Sequence, residues 1–235
     1  MVARSRTLVV GENTPVKAEA TDNPDWMRWN NFGIGLLDQQ QYANAVEAFE
    51  EVRKLRPDYA DVYTNLGLSY YQWEKYPQAD ASLKKALEMS PDNPRALYYQ
   101  ALVDRNEGNL DGAIANLEKV VDKYPQSPDS RRELGFSYYQ LHKYELAEKQ
   151  YEALQAIDPD DLAAHYILAI IYRRLGIKDK AAIESARFAD EKDDPMANTA
   201  ALQFLERHPE LSGESVPWHL HTALDAAPLA TMSGR

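Results

Sequence analysis

The sequence predicts an all-α fold, a solenoid of short helix-turn-helix repeats, and three observations lead there. Residues 60–93 form two short amphipathic stretches: Tyr63, Leu66, Gly67 and Tyr70 on the first, Ala79, Leu83 and Ala86 on the second, with a stop at Pro91. The same pattern returns every 34 residues without an insertion, over 26–59, 60–93, 94–127, 128–161 and 162–195. In each copy small residues keep their place, as Gly33, Gly67, Ala101, Gly135 and Ala169 in the first helix and Ala45, Ala79, Ala113, Ala147 and Ala181 in the second. Small residues let two helix backbones approach, and the larger side chains fill the space around them. One such unit cannot bury its apolar face alone and needs copies on both sides.

Each helix follows from local signals. Asn93 before Pro94 and Ser127 before Pro128 are N-caps followed by a proline in the first turn, where its missing N–H costs nothing. Pro77 plays the same part for a second helix. The late prolines Pro57, Pro91, Pro125 and Pro159 end each unit, and Asp193 stands at the fifth such position. First helices are expected at 27–39, 61–73, 94–107, 128–141 and 162–175, and second helices at 42–55, 76–89, 110–123, 144–157 and 178–191. The outer half of the last copy weakens: Lys178 stands where the others have Tyr42, Tyr76, Leu110 and Tyr144, and Ser185 where they have Phe49, Leu83, Leu117 and Tyr151. A terminal copy meets water or a cap, so weakening is expected there.

The run of large apolar residue, Leu-Gly, Tyr, Ala, apolar residue and late Pro over 34 residues resembles the tetratricopeptide (TPR) family. The resemblance implies a right-handed α-solenoid of five repeats at 26–195. It is flanked by an N-terminal extended arm at 1–25, a capping helix at 196–208 and a C-terminal tail at 209–235. The cap carries Met196, Ala200, Phe204 and Leu205 at helical spacing, and Pro209 stops it. The two ends carry apolar groups expected to dock on the solenoid or on another copy: Leu8, Val9 and Val10 in the arm, and Val216, Trp218 and Leu220 in the tail.

The family lines its concave groove with set positions of each first helix. Carried over, these are Asn30, Ile34 and Leu37; Thr64, Leu68 and Tyr71; Arg95, Tyr98, Leu102 and Arg105; Arg132, Phe136 and Tyr139; and Tyr166, Ile170 and Arg173. Ile34, Leu68, Leu102, Phe136 and Ile170 put an apolar side chain at the groove centre of every repeat. Part of that pattern is packing between adjacent first helices. The remainder points to a groove for an extended apolar or aromatic segment, with Tyr and Arg at its margins. The carboxylate clamp of chaperone-binding relatives is incomplete. Asn30 and Ile34 stand at its first-repeat positions, Asn65 fits the second, and Arg95 fits the third loosely with Tyr99 in place of an Arg.

Composition narrows the classes further. The formal net charge of −11 argues against binding a phosphate backbone, which needs clustered Lys and Arg. No cysteine is present, so thiolate metal sites, disulfides and thiol nucleophiles are excluded. No run is long and apolar enough for a membrane span. The N-terminal stretch has basic residues but only a short apolar run, which does not fit a secretory signal. The cytoplasm is therefore expected, or the cell envelope or exterior if the chain is part of an exported protein. The flanks NPDWMRWNNFGIGLLDQQQY and FLERHPELSGESVPWHLH are similar to TPR portions of bacterial envelope proteins, some fused to multihaem cytochromes. No haem-attachment motif stands here, and no cofactor is expected.

His219 and His221 lie on one side of an extended stretch at a spacing metals use, but two histidines fall short of a ligand set and no metal is assigned. His142 and His165 fit structural roles. Asp104 replaces an aromatic in the third repeat, with Arg131 as the expected partner. No nucleophile–base pair or phosphate loop stands out, and no enzyme is expected. Two functions remain open: a scaffold that binds a protein or peptide segment in its groove, and a structural protein that joins its own copies head to tail into a ring or filament through its ends.

Overall fold

A computed structural model describes residues 24–191. The expected cap and both ends, with Leu8, Val9, Val10, Val216, Trp218, Leu220, His219 and His221, lie outside the described residues. Ten helices and no strand are found among the described residues. They are α1 (Pro24–Asp38), α2 (Tyr42–Leu55), α3 (Ala60–Gln72), α4 (Tyr76–Met89), α5 (Pro94–Asn106), α6 (Leu110–Lys123), α7 (Pro128–Gln140), α8 (Tyr144–Ile157), α9 (Leu162–Arg174) and α10 (Lys178–Glu191). Each odd-numbered helix packs on the even-numbered helix after it, and that helix packs on the next odd-numbered one. Direct contacts also join α3 to α5 and α5 to α7. The fold is a linear all-α stack with its core between successive helices.

The small residues sit where backbones meet. A Cβ on Gly33 would lie 2.7 Å from the Phe49 ring, one on Gly67 2.4 Å from Leu83 Cγ, and one on Gly135 2.8 Å from the Tyr151 ring. Carbon atoms rest at about 3.5–4.0 Å, so each site excludes a methyl group as built. Phe49, Leu83 and Tyr151 are fully buried, as are Ala45, Ala79, Ala113 and Ala147. In α9 the trade reverses: Ala169 stands in the glycine register and Ser185 in the register of the large partner.

Asn93 and Ser127 cap first helices as the sequence signals, and Asp161 caps α9 in the same way. Asn93 accepts hydrogen bonds from the amides of Arg95 and Ala96, Ser127 from Ser130, and Asp161 from Ala164. The C-termini follow one design. Gln40, Glu74, Gly108, His142 and Gly176 share a register and all have φ between 56° and 80°. Around each, paired backbone bonds such as Glu74 N–H to Tyr71 O and Lys75 N–H to Tyr70 O close a Schellman motif. That left-handed residue ends every first helix. The second helices begin and end where expected. The first helices stop one residue early at the left-handed closure, and α1 begins at Pro24, three residues before its expected start.

Candidate functional site

The odd-numbered helices carry the sixteen side chains assigned to the groove. In the half built by α1, α3 and α5, a row of polar side chains crosses from helix to helix. Asn65 Nδ2 donates to Asn30 Oδ1 at 3.1 Å, and Arg95 Nη2 donates to Asn65 Oδ1 at 3.0 Å. Asn93 Nδ2 donates to Asp61 Oδ1 at 3.0 Å beside it. Tyrosines cluster next to this row: the Tyr71 ring lies 5.9 Å from Tyr76 and 6.4 Å from Tyr99, and Tyr98 meets Tyr99 edge-on at 5.2 Å. A cavity of about 300 Å³ opens between α5, α6 and α7, lined by Arg95, Tyr98, Tyr99, Tyr124, Asp129 and their neighbours. Burial pushes the Tyr99 hydroxyl above its ordinary range, so it stays protonated and able to donate.

The half built by α7 and α9 is charged and closed. Arg105 Nη1 lies 2.9 Å from Glu133 Oε2, with both side chains buried, as an ion pair whose alignment falls outside hydrogen-bond geometry. The Arg105 guanidinium lies 5.5 Å from the Phe136 ring centre, and Phe136 stacks on Tyr139 at 6.2 Å. Arg132 reaches Asp161 at 2.5 Å and Asp129 at 2.7 Å. Burial works against the Arg132 charge, but the two carboxylates outweigh it and strengthen its hold on the proton. The Tyr151 hydroxyl donates to Arg132 O at 3.1 Å and is pushed well above its ordinary range by burial.

The sixteen residues are not equally accessible. Ile34, Arg95 and Arg173 are exposed. Asn30, Leu37, Leu68, Tyr71, Tyr98, Arg105 and Tyr139 are half-buried. Thr64, Leu102, Arg132, Phe136, Tyr166 and Ile170 are buried.

Asp104 has a different environment from the one expected. It is buried, but amides surround it: Asn116 Nδ2 at 3.0 Å, Asn109 Nδ2 at 3.2 Å and Gln100 Nε2 at 3.4 Å. Arg131 instead donates to Pro125 O and Gln150 Oε1. Neutral donors from the same helix hairpin satisfy the carboxylate without bringing a second charge into the core.

His165 is the centre of a network the sequence did not reveal. Its Nδ1 lies 2.6 Å from Glu184 Oε2 and 2.9 Å from Gln155 Nε2, and its Nε2 lies 2.9 Å from Pro159 O. Burial pushes the Glu184 carboxyl up, but hydrogen bonds from His165 and Gln155 outweigh it and hold it below the usual carboxylate range. His142 is exposed, at the left-handed closure of α7, with Nδ1 3.0 Å from the Tyr144 hydroxyl. Among the described residues no group of three or more His, Cys, Asp or Glu is placed to hold a metal ion, and no helix is long and apolar enough to cross a membrane.

Comparison with known proteins places this architecture. Family models described as tetratricopeptide repeat match residues 65–128 and 105–175, and one described as TPR repeat matches 36–73. The chain is 35% identical over 102 residues to the peroxisomal targeting signal receptor of Pichia angusta. It is 27% identical over 158 residues to a TPR repeat-containing protein of Methanocaldococcus jannaschii. These alignments take in 43% and 67% of this chain but span only 18% and 27% of the two relatives. Among solved structures, MamA of Desulfovibrio magneticus RS-1 superposes with a TM-score of 0.68 at 17% identity, over 74% of this chain and 98% of that one. YrrB, a TPR protein with an unusual peptide-binding site, gives 0.62 at 21% identity, over 77% and 92%. The 34-residue register, the glycine-to-large-residue packing and the three family matches lead to one conclusion: the chain belongs to the tetratricopeptide-repeat family.

Proposed function

We propose that this chain is a protein–protein interaction scaffold that holds an extended partner segment bearing apolar or aromatic side chains along its concave face. One observation carries the reading. The polar row Asn30–Asn65–Arg95 runs beside half-buried tyrosines and leads to the cavity at Arg95, Tyr98 and Tyr99. Amides and a guanidinium hold a peptide backbone, and tyrosines give large contact area with a polar end. The likeness to a receptor for a targeting signal supports the same class of function. Selection of peptides from a random displayed library tests it. Bound peptides should lose roughly tenfold or more in affinity, the scale of an interface hot spot, on Tyr98→Ala or Arg95→Ala, with the thermal melt unchanged. No enriched peptide, or peptides indifferent to both substitutions, would overturn it.

Self-assembly is the second reading, and the exposed apolar side chains of α1 favour it. Met27, Trp29, Phe32 and Ile34 are all exposed, Phe32 at 56%. Four large apolar side chains on one short helix suit a contact with another copy. Sedimentation of the full chain against Phe32→Asp decides it: a concentration-dependent oligomer lost in the variant supports the reading, and a monomer throughout ends it.

A further inference from the structure

The polar row on α1, α3 and α5 has a direction, and Arg95 sets it. An arginine side chain has N–H donors and no acceptor. The side chain that meets it must turn an oxygen toward it, and Asn65 does so with Oδ1 at 3.0 Å. Asn65 then has its Nδ2 for the far side, where it donates to Asn30 Oδ1 at 3.1 Å. Asn30 in turn points its Nδ2 away from the row. Both amide orientations follow from the one group that cannot accept. The oxygens beside the row already receive donors. Asp61 Oδ1 receives Asn93 Nδ2, Asn93 Oδ1 receives the amides of Arg95 and Ala96, and Asp129 Oδ1 receives Arg132 Nη1.

What the row leaves over is donors. Among the described residues nothing accepts from Asn30 Nδ2 or from the Tyr99 hydroxyl, and both side chains are only half-buried. Arg95 is exposed, gives one side-chain N–H to Asn65, and pairs with no carboxylate among the described residues. Burial keeps the Tyr99 hydroxyl protonated, and Tyr99 lines the cavity. The rest of that wall is aromatic and apolar: Tyr98, Tyr124, Pro94 and Val120. Tyr71 and Tyr76 continue the tyrosine cluster from Tyr99 toward α4.

Donors left over call for acceptors, and the match is electrostatic: N–H and O–H ends meet carbonyl oxygens. An ordinary peptide brings an N–H with every carbonyl, and a donor set against donors is costly when desolvated. Proline brings a carbonyl and no N–H, with a compact apolar ring for the tyrosine faces. A proline-rich stretch takes the polyproline II form, whose carbonyls have no internal partner. Its stiffness lowers the cost of ordering on binding. The length also fits. Eight residues in that form span about 25 Å, and three packed helix axes span roughly 20 Å. Aromatic-lined grooves hold such segments in this way.

We propose that the partner segment seated on α1, α3 and α5 is proline-rich and extended, with its carbonyls on Asn30, Arg95 and Tyr99 and its rings on Tyr98, Tyr99 and Tyr124. This names the chemistry of the partner and rests on the scaffold reading above.

Calorimetric titration of the full chain with octaproline, acetylated and amidated at its ends, tests it. The comparison peptide has alanine at every second position, which restores N–H groups there. Octaproline should bind, and the alanine-containing peptide should bind roughly tenfold more weakly. Asn65→Asp keeps an oxygen for Arg95 but cannot donate, so the row reverses and Asn30 shows its oxygen outward. Tyr99→Phe removes the free hydroxyl and keeps the ring. Each should weaken octaproline roughly tenfold with the thermal melt unchanged, and Tyr99→Phe carries the test alone if Asn65→Asp does not fold. A chain that binds library-selected peptides but not octaproline keeps the scaffold reading and overturns this one. So does octaproline bound equally by the parent and both variants, or no better than the alanine-containing peptide. Failure of every peptide overturns both.

Discussion

Gly135→Ala perturbs the packing rule on which the whole stack depends. The added Cβ would stand 2.8 Å from Tyr151 Cε2 and 2.9 Å from Cδ2. Tyr151 is fully buried, and its hydroxyl is held by Arg132 O, so the ring has nowhere to swing. Overpacking of this kind costs about 1–3 kcal/mol. Alanine in place of glycine inside a helix returns about 0.5–1 kcal/mol. The expected net loss is about 1–2 kcal/mol. Gly35→Ala is the matched control. A Cβ there meets nothing within 4 Å, so only the propensity term acts and a gain of about 0.5–1 kcal/mol is expected. Gly67→Ala should fall between the two, because the Ala101 and Leu117 pair shows that the same register accepts alanine opposite leucine. Urea melts followed by circular dichroism measure all three, with equal m-values required before the midpoints are compared. If Gly135→Ala matches or exceeds the parent, or Gly35→Ala loses as much as Gly135→Ala, close backbone approach is not what selects glycine here.

Other perturbations follow from single features. Leu66→Ala removes a side chain 2% exposed between α2 and α3, and should cost about 2–5 kcal/mol in the same melts. Gly108→Ala places a Cβ in open space at φ 80°, so its cost, about 1–2 kcal/mol, is conformational alone, and the Gly108→Asn variant should recover part of it. The Glu184 carboxyl is held below its ordinary value near 4.5 in the fold. Its contribution is therefore present above that pH and is lost as pH falls through the lower folded value. The difference in urea midpoint between the parent and Glu184→Gln should shrink on acidification below about pH 4.5; a difference that grows instead would reverse the sign assigned to His165 and Gln155.

Much of the fold was legible because it is written in periodicity. The second helices carry a clean apolar stripe and begin at the residues the pattern marks. The first helices end at Gln40, Glu74, Gly108, His142 and Gly176, and only the two glycines announce a left-handed residue. Gln40, Glu74 and His142 adopt it because the Schellman bonds and the packed hairpin outweigh the local cost. The Asp104 cage was illegible for another reason. Sequence spacing shows that Gln100 lies one turn away, but not that Asn109 and Asn116 reach across the hairpin while Arg131 points to Pro125 and Gln150. The network of His165, Gln155 and Glu184 joins three helices and has no signature in any one of them. The groove was half legible. Repeat position says which way Ile34 and Ile170 face; it cannot say that one is open and the other closed.

A chemical-shift map of the full chain, titrated with a peptide selected on it, shows where a partner segment seats. Shifts should gather at Ile34, Leu68, Tyr71, Arg95 and Tyr98, on α1, α3 and α5. Shifts centred on the outer faces of α2, α4 and α6, or spread without focus, would contradict that placement.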